Sequence, residues 1–253
     1  MIKREINLIF NAFLYYSRIK VPKNITCNDE TLSRSLRYFP LVGMVVGVIG
    51  ALIYYCSSLG FSHNISVIMA IISMVLSTGA LHEDGLADFC DGFGGGYTKE
   101  AILRIMKDSF IGAYGVISLI LMFILKFSFL TQLPIGQFIP LLILAQGSSR
   151  FFSVLMVRLS TYSRKEKAKA QHSALGISNG GVILGFLIAF APLFIYNWRL
   201  AIAYLIVVFP LFFIFKYYIE KQIGGYTGDI LGAMQQFSEL IFYGVALALL
   251  NIV

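Results

Sequence analysis

Two apolar stretches decide the fold: LVGMVVGVIGALIYYCSSL at residues 41–59 and NISVIMAIISMVLSTGAL at residues 64–81. Each approaches the roughly 20 apolar residues needed to cross the hydrocarbon of a bilayer. Unpaired backbone is not tolerated there, so the two must be helices, and the short join makes them a helical hairpin. Working outward, further apolar runs fall near 113–131, 138–157, 178–196, 200–217 and 238–253, which makes seven candidate spans. The fourth carries Gln146, Ser148, Ser149 and Arg150, so its inner end is expected to face protein or water rather than lipid. The sixth contains Pro210 and is expected to kink there unless neighbouring groups satisfy the freed carbonyl. The start, MIKREINLIFNAFLYYSRIK, has a basic beginning but no small-residue cleavage site, and its apolar core is too short to span comfortably. It reads as an interfacial or re-entrant helix. The expected fold class is all-α: a polytopic transmembrane helical bundle of about seven spans plus that N-terminal helix, with residues 1–253 forming one integral membrane domain.

Composition agrees. Of 253 residues, 58% are hydrophobic and 13% charged, with a mean hydropathy of +0.79, against about 25% charged in a typical soluble domain. The net charge of +7 would suit nucleic acid in a soluble protein. Here the basic residues lie between long apolar runs, so they are topology signals and no nucleic-acid partner is expected. Cys27, Cys56 and Cys90 show neither metal-type spacing nor a disulfide framework.

With a cytoplasmic N-terminus, the inner side receives residues 1–40, 82–112, 158–177 and 216–237, and the outer side only short turns. Of the 20 Lys and Arg residues, only Arg199 and Lys126 fall towards the outer side, as the positive-inside rule requires. All 13 acidic residues lie on or near the inner side, which that rule does not require. The acidic clustering therefore points to chemistry at the cytoplasmic face, in loops at about 82–112 and 218–237. The spans hold few ionisable groups near mid-membrane, which argues against a transport route.

In the first loop Asp84, Asp88 and Asp91 are spaced by four and three residues, one face of a helix. Three like charges there repel, and a cation would reverse the penalty; hard oxygen ligands suit magnesium or manganese, while no His or Cys pattern favours zinc. Gly92 and Gly94, Gly95 and Gly96 can take positive φ and let amide donors meet phosphate oxygens. Arg104 and Lys107 are phosphate-contact candidates on a short amphipathic helix, and Asp108 returns a carboxylate towards the membrane. A second acidic, glycine-rich loop has Gly224, Gly225 and Gly228 beside Asp229, with Glu239 opening the final span. Arg164, Lys165, Lys167 and Lys169, with His172 nearby, form a basic segment that suits anionic headgroups or a phosphate-bearing substrate. Gly43, Gly47 and Gly50 permit close helix packing, within the subunit or in a homo-oligomer.

Several motifs resemble the cobalamin synthase family, the adenosylcobinamide-GDP ribazoletransferases, over nearly the whole chain. They are RSLRYFPLVGMVVG at Arg34–Gly47, HEDGLADFCDGFGGG at His82–Gly96, RIMKDSFIGAYG at Arg104–Gly115, the pair Ser149 and Arg150, and GGYTGDILGA at Gly224–Ala233. The resemblance implies a magnesium-dependent, multi-pass transferase of the inner membrane with its active face cytoplasmic, working late in cobalamin biosynthesis. It would join alpha-ribazole, or its 5′-phosphate, to adenosylcobinamide-GDP, the ribazole 5′-hydroxyl attacking and GMP leaving. Asp84, Asp88 and Asp91 would hold the metal. Asp84, Asp88, Asp108 and Asp229 would be the catalytic set, and Gly94, Gly95, Gly96, Gly225, Arg104, Lys107 and Arg150 would contact phosphates, Arg150 by reaching into a cytoplasmic vestibule. A CDP-alcohol phosphotransferase has Asp-Gly, two residues, then Ala-Arg, whereas here Asp88-Phe89 stands in that place. A transporter and a membrane scaffold are the remaining readings.

Overall fold

The computed structural model describes residues 2–164 and 177–250, and these are almost entirely helical. In chain order the helices are α1 (Ile2–Tyr16), α2 (Asp29–Ser35), α3 (Phe39–Ser58), α4 (His63–Thr78), α5 (Leu81–Gly95), α6 (Lys99–Ile105), α7 (Ala113–Gln132), α8 (Ile135–Leu159), α9 (Asn179–Tyr196), α10 (Trp198–Ile223) and α11 (Gly228–Leu250). Six segments are long and apolar enough to cross a membrane, with Asp29–Ser58 counted as one. A seventh requires α4 and α5 together, and these are bent by 86°. The chain is thus an all-α polytopic bundle, and among the described residues each of the seven expected runs falls mainly on one helix.

The boundaries differ from expectation where polar residues are paired inside protein. The final helix begins at Gly228 rather than near residue 238, because Gln235, Gln236 and Glu239 are buried rather than solvated. Glu239 therefore lies inside α11 instead of opening it. With α10 running to Ile223, past Pro210 without interruption, the join between the last two helices shrinks to residues 224–227. The stretch 82–112 is mostly α5 and α6 rather than loop.

α8 is the hub, packed against α3, α9 and α11. Small residues make the closest approach possible. A Cβ on Gly43 would strike the backbone of Gln146, one on Gly47 would come 2.8 Å from Cα of Ile143, and one on Gly50 would come 2.8 Å from the Met74 side chain. The glycine stripe of α3 is thus occupied within the chain, against α8 and α4. α1 docks through Leu8, Asn11 and Ala12 and is tied to the start of α3 by Arg37, whose guanidinium donates to Glu5 at 2.9 Å. Its far side leaves Ile2, Ile6, Leu14 and Tyr15 exposed, as an interfacial helix would.

The bundle interior is more charged than the sequence suggests. Lys126 on α7, Arg150 on α8 and Glu239 on α11 are all buried. Lys126 lies within the protein beside Glu239, at 3.1 Å, rather than at the outer surface. The cavity among these groups has a volume of about 10 Å³, about the room one water needs.

Candidate active site

The site is built around α5. It follows Gly79 and Ala80, both left-handed, at φ 67° and 60°. Ala80 is the one non-glycine residue with positive φ among the described residues, a conformation that persists only where its surroundings enforce it. Three ties enforce it here. Glu83, buried, accepts from Gln236 Nε2 at 3.0 Å. Gly85 lies against the backbone of Asp229 and Gly232 against that of His82, so that α5 and the first turns of α11 run antiparallel in backbone contact. Asp91 accepts from the backbone N–H groups of Gly112 at 2.7 Å and Gly115 at 2.8 Å.

These ties sort the acidic residues of α5 into two kinds. Asp91 caps α7, satisfying N–H groups that the first turn leaves open and placing negative charge at the helix's positive end. Each of its oxygens accepts one backbone N–H, so it is not the unpartnered carboxylate expected. Asp84 is exposed and Asp88 half-buried, and neither accepts a hydrogen bond from any described residue. Asp88 lies in the combined negative field of Asp229, Asp84 and Asp91, with Arg164 opposing. We expect Asp91→Asn to cost about 1–3 kcal/mol of stability, the range for a buried charged hydrogen-bonding group, while leaving the metal requirement near wild type. Thermal unfolding beside a magnesium titration checks this.

The second glycine segment positions the opposing cation. Gly224, at φ 77°, ends α10 in the left-handed region, and Gly225, at φ 156°, packs so closely on the carbonyl of Thr161 that any side chain would clash. That approach lets Tyr226 N–H donate to Thr161 O at 2.9 Å and Ser163 N–H donate to Tyr226 O at 2.9 Å. The short bridge aims Arg164, whose Nη2 donates to Asp229 Oδ2 at 2.7 Å and to Met106 O at 3.3 Å. Burial pushes the neighbouring Tyr162 phenol above its usual range, which keeps it neutral. The close packing of Gly225 on Thr161 thus supports the bridge that leads into Arg164.

Arg164 also borders a cleft of about 560 Å³ lined by Lys99, Arg104, Lys107 and Ser163, with Glu100 and Leu103. The structure thus brings Arg104 and Lys107 together as expected and adds Lys99. The remaining expectations are redistributed. Gly94, Gly95 and Gly96 have no positive φ: the first two complete α5 and Gly96 donates back to Gly92 O at 2.9 Å, so these amides do not form a phosphate cradle. Their small size serves packing instead, Gly94 under the Tyr114 ring and Gly96 against Ile102. Asp108 is exposed and accepts from Phe110 N–H at 3.1 Å, stabilising the turn between α6 and α7. Arg150 does not reach a vestibule: only 1% exposed, it donates to the backbone and side-chain oxygens of Gln146 at 2.7 Å each and lies over the Phe39 ring. Lys165, Lys167, Lys169 and His172 lie outside the described residues.

Sequence reasoning named Arg164 only as part of a basic run and gave Glu83 no role. A signal for Glu83 was present: adjacent helix positions point about 100° apart, so Glu83 and Asp84 cannot share a face.

Among the described residues, no three His, Cys, Asp or Glu side chains stand close enough together to hold a metal ion. Magnesium does not need three. It commonly takes one or two carboxylates and completes its shell with water and substrate phosphates. Asp84 and Asp88, without a donor among the described residues and near the Arg164–Asp229 pair, fit that requirement.

No solved structure matches this chain. It is 38% identical to the adenosylcobinamide-GDP ribazoletransferase of Vibrio cholerae serotype O1 (strain ATCC 39541), a match covering 99% of this chain and 97% of that protein. It is also 38% identical to the protein of the same name from Shewanella baltica (strain OS185), over 98% of this chain and 97% of that one, and to that of Shewanella oneidensis, over 96% and 95%. The CobS family model, cobalamin-5-phosphate synthase, matches residues 8–247. With that match spanning nearly every helix of the bundle, the chain belongs to the cobalamin-5-phosphate synthase family.

Proposed function

We propose that this chain joins adenosylcobinamide-GDP to alpha-ribazole or its 5′-phosphate, giving adenosylcobalamin or its 5′-phosphate and releasing GMP, a late step of cobalamin biosynthesis. The reaction takes place at the cytoplasmic face of the inner membrane, where α5, α6, the 160–164 segment and the 224–227 turn meet. The observation that carries the reading is the pair of carboxylates Asp84 and Asp88, without a hydrogen-bond donor among the described residues, held by backbone contact near the Arg164–Asp229 ion pair, whose arginine also lines a cleft of basic side chains.

A ribazole hydroxyl attacks the phosphorus attached to cobinamide, a new P–O bond forms, the bond to the bridging oxygen breaks, and that oxygen leaves on GMP. The 5′-hydroxyl expected as nucleophile is ruled out by atom balance for the phosphorylated acceptor, whose 5′-oxygen is already esterified and stays so in the product. Another ribose hydroxyl must attack. Asp84 and Asp88 would hold magnesium, which when bound neutralises phosphoryl charge and orients the diphosphate. Arg104, Lys107 and Arg164 bind phosphate oxygens, the arginines with a fixed fork and the lysine as a mobile charge. Asp229 holds Arg164 in place, and we assign to it the acceptance of the proton from the attacking hydroxyl.

Purified protein in liposomes should release GMP only when alpha-ribazole or its phosphate and magnesium are present, and chelator should stop it. Failure of folded protein to release GMP with either acceptor across a range of metals would overturn the assigned reaction. Charge removal in the cleft, Arg104→Gln with Lys107→Gln, should raise the KM for adenosylcobinamide-GDP about tenfold or more and flatten its dependence on salt. An unchanged KM would take the cleft out of substrate binding.

A further inference from the structure

Four charged side chains are buried where the bundle is most closely packed, and replacing such groups with apolar ones of similar volume is often neutral or stabilising. Their connectivity suggests another role. Lys126 on α7 pairs with Glu239 on α11 at 3.1 Å and donates to Gln236 Oε1 at 2.8 Å. Gln236 then donates through Nε2 to Glu83 Oε1 on α5 at 3.0 Å. Glu239 accepts from Gln235 at 2.9 Å, and Gln235 donates to Ser149 on α8 at 3.1 Å. With Arg150, the two carboxylates and two cations balance. The set ties four helices together, and Gln236 is the link by which α5 joins it.

α5 needs such a link. It leaves the strained Ala80 at a sharp angle to α4, and its apolar pattern does little to define which face turns inward: glycine and acidic residues make up much of HEDGLADFCDGFGG. Anchoring Glu83 in the core sets the rotation of the helix, and so the direction of Asp84 and Asp88. We infer that Gln236, with the buried Lys126–Glu239 pair behind it, is a positioning residue that orients Asp84 and Asp88 for metal binding by holding Glu83. This inference rests on the reading of Asp84 and Asp88 as the metal ligands.

The test uses Gln236→Met in lipid nanodiscs, a change that keeps the side-chain volume and leaves the Lys126–Glu239 pair in place. Manganese binding, followed by loss of the free-ion electron paramagnetic resonance signal, is measured beside GMP release. The expected result is folded protein whose manganese dissociation constant and magnesium requirement both rise at least fivefold, with the KM for alpha-ribazole unchanged. Folded protein with wild-type manganese binding overturns the proposal. Should Gln236→Met fail to fold, Lys126→Met with Glu239→Gln, which removes one charge of each sign, is measured in the same way and the same outcomes apply. If neither folds, the network is a folding element and the proposal falls. Asp84→Asn is measured alongside, and wild-type manganese binding in that variant would sink the ligand reading itself rather than the role of Gln236.

Discussion

Asp84→Asn is expected to lower GMP release by about 10²–10³-fold, the range seen when one electrostatic contact to developing charge is removed, with little change in stability. The substitution preserves shape and removes only charge. Asp84 is exposed on α5 and accepts no hydrogen bond from any described residue, so the described fold loses nothing when its charge goes. That separates it from Asp91, whose two backbone N–H partners make it a stability residue. Measured together, the two variants should fall into opposite quadrants of an activity-against-stability plot. Equal loss of activity in both, at wild-type stability, would show that Asp91 shares the chemistry after all.

Gly85→Ala is the second large effect, and it acts through geometry. The added methyl would lie 2.7 Å from the carbonyl oxygen of Asp229 and 3.0 Å from its Cα. These are backbone atoms and cannot rotate aside, so α5 and α11 must move apart. Overpacking of this kind costs about 1–3 kcal/mol. The larger consequence is functional, because the same contact sets Asp84 and Asp88 beside Asp229 and Arg164. Activity should fall at least tenfold even at temperatures where the protein stays folded, since displacement of about 1 Å in a positioned site can cost 10²-fold. Gly136→Ala is the control: a Cβ there meets nothing within 4 Å, and activity should not change. Wild-type turnover in Gly85→Ala would mean that the carboxylates do not depend on the α5–α11 contact.

Much of the molecule was legible in one dimension. The apolar runs at 41–59 and 64–81 mark helices because length and hydropathy are local properties, and the bilayer allows a long apolar segment almost no alternative. Arg104 and Lys107 were legible as a pair for the same reason, since their spacing on a short helix follows from the sequence alone. The polar residues of α11 were misleading. Gln235, Gln236 and Glu239 resemble a solvated loop until their partners on α5, α7 and α8 are known.

The sequence by itself determined that this is a multi-span helical membrane protein of the cobalamin-5-phosphate synthase family, with acidic and glycine-rich segments gathered at one end of the bundle. Only the tertiary structure decided which acidic residues have protein donors. Asp91 is engaged by amides 21 and 24 residues away, Glu83 by an amide 153 residues away, and Asp229 by an arginine 65 residues away, while Asp84 and Asp88 have no such partner among the described residues. A carboxylate is a structural cap, a buried anchor or an open ligand according to the donors around it, and donors so distant in sequence are brought to it only by folding.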